Sequence, residues 1–347
     1  MAVPSSKGAV LTPDEQAKAD AVRTLAAQRA LERQRKASAA AQGVGTNLTV
    51  FQRILSEDAE LAHLSREQIE AYLVRHQTNA ATLLTAWQAG GGRDYLKRAA
   101  ELFPDDPRVQ LAVLNMNMFP DQQREWLDRL KKSDPENPMG NYLSARDYLL
   151  NGKPELALKE LGDARGKTKY EDYAMARLQD FEELQMEAGH SAAEAKAIAG
   201  SGLLLPQLAQ MKDVARQLGN LQEQYLAAGD LAGAQQLALL GQGASRELSE
   251  GSGGANFLIN QLVGLAMERI LISKLPHDSQ PDFLGMTVQE RMTQIEERKA
   301  ELRTHTPLFN EMIARGNEAE MVSYFDRVKL NGENAALKWL AGRTPQH

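Results

Sequence analysis

The chain has 347 residues, no cysteine and a net charge of −6. The missing cysteine excludes disulfides, thiolate metal sites and cysteine nucleophiles, and the acidic balance argues against nucleic acid as the main partner. Only 5% of residues are aromatic, while Ala, Leu, Gln and Glu abound, a mix that favours helix because these side chains lose little freedom there.

Residues 13–42 read as one helix. Thr12 with Glu15 has the spacing of a capping box, and Pro13 takes the favoured first helical position. Its apolar positions are mostly alanines, so it can bury little. Residues 1–45 carry seven Lys/Arg against four acids, which makes this segment +3 and the remainder −9. Such a segment is either a solvated helix or an arm in weak contact with an anionic surface. A linker, AQGVGTN, follows at 41–47.

From 48 onward nearly the whole chain reads as short helices joined by tight turns, with 48–250 as the repeat region. Ser65 with Gln68, Ser191 with Glu194 and Thr287 with Glu290 repeat the capping-box spacing. Gly90–Gly92, Gly152, Gly229 and Gly316 fall where helices should end. No run of alternating β-branched residues suggests a strand.

Two stretches align on themselves. PDDPRVQLAVLNMNM begins at Pro104 and PENPMGNYLSARDYL at Pro135, an offset of 31 residues. A period of this size signals stacked helix pairs, because one pair cannot bury its own apolar face. In the second unit Ala145 and Tyr148 lie on a first helix, Gly152 turns the chain, and Ala157, Leu161 and Ala164 lie on a second. The small residues allow close approach of the two helices. Tyr225, Gly229, Ala234 and Ala238 recur in corresponding places, with Gly241 where a further alanine is expected. Leu96, Ala99 and Pro104 form a poorer third match.

These units resemble the tetratricopeptide repeat over roughly 79–165 and 215–243; residues 166–214 do not match. The resemblance implies a right-handed superhelix of antiparallel helix pairs, here with a C-terminal helical cap. It also implies protein or peptide binding in a concave groove lined by the first helix of each pair. Carried onto this sequence, the groove is lined by Arg108, Leu111, Asn115 and Met118 in one unit, and by Met139, Tyr142, Arg146 and Leu149 in the next. Arg108, Asn115, Met139, Tyr142 and Arg146 are the expected partner-binding residues. The carboxylate clamp of the family needs polar residues where Leu111 and Leu143 stand. The same apolar stripe would equally serve to pack on a neighbouring helix.

No catalytic or metal signature emerges. None of the six histidines pairs with another at i, i+4, and no G-x-S-x-G elbow occurs. No catalytic, cofactor-binding or metal residue is therefore assigned, and the expectation is a non-enzymatic scaffold. The alternatives are an enzyme or small-ligand sensor with a pocket between the repeat region and the C-terminal helices, and an envelope-associated structural protein.

Residues 251–347 are expected to form a central helix and a cap. Gly251–Gly254 lacks the Lys-Ser/Thr of a phosphate loop and reads as a joint, with Asn256 as N-cap. Phe257, Leu258, Ile259, Leu262, Val263, Leu265, Ile270 and Ile272 cover most of the next helix, which predicts burial all round. Glu268, Arg269 and Lys274 argue against a transmembrane span. The cap is two short helices around Asn331-Gly332, with Phe325, Val328 and Leu330 on one apolar edge and Leu337, Trp339 and Leu340 on the other. The start, MAVPSSKGAV, lacks the apolar stretch of a signal peptide. The chain is expected to be soluble, either cytoplasmic or exported with its signal removed.

Overall fold

The first helix starts where local chemistry says it should. In α1 (Arg66–Arg75) the Ser65 hydroxyl accepts from Gln68 N–H while the Gln68 side chain accepts from Ser65 N–H. This computed structural model describes residues 64–250 and 257–343. The basic helix at 13–42 with its Thr12 cap, the linker at 41–47, the glycine turn Gly251–Gly254 and Asn256 lie outside the described residues.

The described chain is all-helical, with no strand among its residues. Next comes α2 (Ala80–Ala86), which Asn79 and Thr82 cap reciprocally and which widens into a π turn over Trp87–Gly91. Then come α3 (Arg93–Leu102), α4 (Pro107–Asn115), α5 (Gln123–Ser133), α6 (Met139–Leu150) and α7 (Pro154–Ala164). The second proline of each P-x-x-P marks a helix start: Pro107 opens α4 behind the Asp106 cap, and Pro138 precedes α6. Gly152 takes a left-handed φ of 66° between α6 and α7, a conformation open to glycine at little cost. Ala145, Ala157, Leu161 and Ala164 are all buried where α6 meets α7. Tyr148 is half-buried, with the Arg124 guanidinium 4.3 Å over its ring.

The segment that breaks the repeat forms α8 (Ala174–Glu187) and α9 (Ala192–Ser201). The long α10 (Pro206–Ala227) and α11 (Leu231–Ser249) follow, then α12 (Leu258–Ile272). Helix α10 packs on α6, and α12 packs on both α10 and α11. Gly241 explains its own departure from alanine. A Cβ there would lie 2.6 Å from Leu271 Cδ1 and 2.9 Å from Leu218 Cδ1, so its absence lets leucines of α12 and α10 meet over α11.

Helix α12 is not wrapped by its apolar residues. Its buried set contains Asn260, Gln261 and Glu268 beside Leu258, Leu265, Met267, Leu271 and Ile272, whereas Ile259 is 49% exposed. The burial of Glu268 has a partner: Arg291 donates to both its oxygens, at 2.7 and 2.9 Å. The start of α12 also differs from the expectation. Phe257 holds the N-cap position with no side-chain cap, and the Leu258 N–H donates to the Glu333 carboxylate at 2.8 Å.

Four helices complete the chain: α13 (Val288–Thr304), α14 (Thr306–Arg315), α15 (Glu318–Asn331) and α16 (Glu333–Ala341). Gly332, at φ 82°, turns α15 into α16. Val328, Leu337 and Leu340 enter the core with Met321 and Tyr324, but Leu330 is 81% exposed. Helix α15 packs on α9. Lys196 bridges Glu182 and Asp326, and Lys329 reaches the other Glu182 oxygen at 2.8 Å. No described helix is long and apolar enough to cross a membrane.

Candidate functional site

The residues expected to line a groove are held by the chain's own side chains. Met139 and Tyr142 are buried, and α6 is tied to α10 by Arg146, which donates to Asp213 Oδ2 at 2.9 Å. The Tyr142 hydroxyl lies near Gly243, since a Cβ at that glycine would meet it at 3.6 Å. Burial pushes the phenol well above its ordinary range, with Glu247 adding to the shift. Arg108 donates through Nε and Nη2 to its own helix cap, Asp106, at 3.0 and 2.6 Å. Asn115 is half-buried, and its side-chain oxygen is enclosed without a hydrogen-bond partner among the described residues. A peptide could reach Tyr142 only by displacing packed helices.

A different concavity lies between α8–α9 and the C-terminal helices. It has a volume of about 440 Å³. Leu178 of α8 and Ala197, Gly200 and Ser201 of α9 form one wall. Phe257, Leu258, Ile259 and Leu262, at the start of α12, form another. Phe309 of α14, with Tyr324, Phe325 and Val328 of α15, closes a third.

The aromatic wall is built by packing. The Phe309 and Tyr324 rings lie 5.3 Å apart, and Phe325 meets Tyr324 edge-on at 5.4 Å, the arrangement that ring quadrupoles favour. Gly200 makes room for it, since a Cβ there would sit 2.9 Å from Phe325 Cε1. The ion network of Lys196, Glu182, Asp326 and Lys329 joins the helices that carry these walls, α8, α9 and α15.

Into this apolar space comes one acid. Glu333, the first residue of α16, lines the cavity. Its carboxylate accepts from Leu258 N–H, and the Tyr324 phenol stands beside it. Burial nonetheless holds the carboxyl above its ordinary range, because those two neutral groups offset only part of the lost hydration. Burial and the neighbouring carboxylate push the Tyr324 phenol up as well. No Lys, Arg or His is among the lining residues, and no ion pair engages Glu333 among the described residues.

Neither Glu333 nor Tyr324 stands out in the sequence. An acid at the start of a helix is common, since the helix dipole favours it, and Tyr324 is one polar-tipped position on an apolar face. No sequence motif marks this place: α8 and α9, which form one wall, lie in the segment that does not match the repeat. Comparison with family models, curated proteins and solved structures finds nothing that matches this chain.

Proposed function

We propose that this protein binds a small, largely apolar molecule in the cavity between α8–α9 and the C-terminal helices. One observation carries the reading: an apolar space of about 440 Å³ with a single carboxyl–phenol pair in its wall. Ligand sites are typically concavities of roughly 300–1,000 Å³, mostly apolar, with a few convergent polar groups. A titratable group displaced from its ordinary range by burial adds weight, because such groups concentrate at functional sites.

In this reading the tetratricopeptide-like pairs α4–α7 and α10–α11 are a framework that positions α12. A peptide groove over Met139 and Tyr142 has less support, since both side chains are buried and Arg108 and Arg146 are engaged by the chain's own acids. The reading commits to binding and assigns no chemical step.

The test is a polarity-sensitive fluorescent dye with an apolar body, titrated into the full chain. Dye uptake that Leu262→Trp weakens, in a variant with unchanged circular dichroism, supports the reading, because the larger indole would narrow the cavity. Equal uptake by native protein and Leu262→Trp counts against it.

A further inference from the structure

We infer that the cavity takes an organic cation: an apolar body carrying a protonated amine, whose ammonium is held against the Glu333 carboxylate inside the aromatic wall. This rests on the cavity being a binding site, and it names the chemistry of the ligand.

Charge complementarity is the first argument. Glu333 brings an acid into an apolar wall, and the groups against it are neutral: the Leu258 N–H, which donates to it, and the Tyr324 phenol. No Lys, Arg or His lines the space. A carboxylate in such a place carries an uncompensated desolvation cost, and an opposite charge brought to it recovers part of that cost. The protein bears its own share on folding, so an entering ammonium loses only its own hydration. An anionic ligand would meet like charge in a medium of low effective dielectric, where repulsion is strong.

The aromatic wall is the second argument. Phe309, Tyr324 and Phe325 pack within 5.3 to 6.5 Å of one another along the cavity. Ring faces attract cations through their quadrupole, most strongly where water is excluded. Carboxylate and rings thus act on the same charge sign from adjoining walls. A neutral apolar ligand would use the rings alone and bring no opposite charge to Glu333.

The test is isothermal titration calorimetry on the full chain at neutral pH, with three ligands of one tail length: n-octylammonium, n-octanol and octanoate. All are used below their aggregation concentrations. Octylammonium is expected to bind about ten-fold tighter than octanol, the equivalent of one charge-assisted hydrogen bond, with octanoate weakest. Glu333→Gln is expected to bring octylammonium down to the affinity of octanol, leaving octanol unchanged. Phe309→Leu gives a second reading, lowering the octylammonium affinity more than that of octanol; it serves alone if Glu333→Gln does not fold. Octanoate binding as tightly as octylammonium, or a folded Glu333→Gln that keeps the ammonium preference, overturns the inference. If octanol binds and octylammonium binds no tighter, the cavity stands and the cation does not. If none of the three binds, both fall.

Discussion

A close helix–helix approach makes a sharp prediction at Gly264, in the middle of α12. Replacing an interior helix glycine by alanine ordinarily stabilises, by about 0.8–1 kcal/mol, because alanine loses less backbone entropy. At Gly264 the new Cβ would sit 2.5 Å from Ser249 N and 2.6 Å from Ser245 O. Both neighbours are backbone atoms of α11, so no rotamer change can relieve the clash. Ordinary contact begins near 3.4 Å, so α12 and α11 must separate by about 0.9 Å. Gly241, Leu271 and Leu218 meet further along the same α11–α12 interface, and the opening would loosen them too. Overpacking of a tight core costs about 1–3 kcal/mol, more where backbone has to move. The steric cost therefore exceeds the propensity gain, and Gly264→Ala should destabilise by about 1–2 kcal/mol net.

Two other glycines provide the controls. At Gly219 of α10 a Cβ would meet Ile270 Cγ2 at 3.5 Å, an ordinary contact, and at the exposed Gly162 of α7 it would meet nothing within 4 Å. Both alanine variants should stabilise, each by up to about 1 kcal/mol. Urea unfolding followed by circular dichroism measures all three as shifts of the midpoint at constant slope. A Gly264→Ala midpoint above native, alongside Gly162→Ala, would refute the close approach of α11 and α12.

Three further outcomes follow from named contacts. Arg291→Ala leaves Glu268 buried without its bidentate partner and should cost about 3–5 kcal/mol in the same unfolding assay, whereas Glu268→Met with Arg291→Met should recover most of it; a double variant as unstable as the single one would contradict this. Glu333 has a folded pKa raised above the ordinary 4.5, so the unfolded chain ionises first, and its contribution, complete below about pH 4.5, is lost as pH rises through the folded value. Glu333→Gln should flatten that fall in the unfolding midpoint, and an unchanged pH profile would show that the carboxyl is not buried. Tyr142→Ala removes a core ring and should cost about 3–5 kcal/mol, while Arg146→Ala, a half-exposed pair with Asp213, should cost about 1 kcal/mol or less; equal costs would place Tyr142 at the surface.

What the sequence made legible is what local chemistry controls. Ser65, Ser191 and Thr287 cap their helices through partners three residues on, and Gly152 and Gly229 end theirs with a left-handed residue. Each of these is decided within one turn. The Asn79–Thr82 box obeys the same geometry but uses Thr where Glu or Gln is the usual sign. Helix α12 shows where the local signal ends. Its apolar residues suggest a helix buried all round, yet it presents Asn260, Gln261 and Glu268 inward and Ile259 outward, because Arg291, 23 positions away, makes it possible to bury Glu268. The apolar stripe of α6 gave no sign of whether it faces a groove or a helix. That depends on α10, which packs on α6 although the segment that breaks the repeat lies between them in the chain.

The cavity was hidden for the same reason in a stronger form. Its walls come from 178–205, 257–262 and 306–333, and no one of these segments is concave by itself. Glu333 is where they meet: it opens α16, accepts from the first N–H of α12, and stands in the cavity wall. Capping residues are usually local, but the acceptor for the Leu258 N–H comes from 75 positions away. A local cap fixes only its own helix. Glu333 ties the first turn of α12 to α16 while holding a carboxyl in an apolar wall.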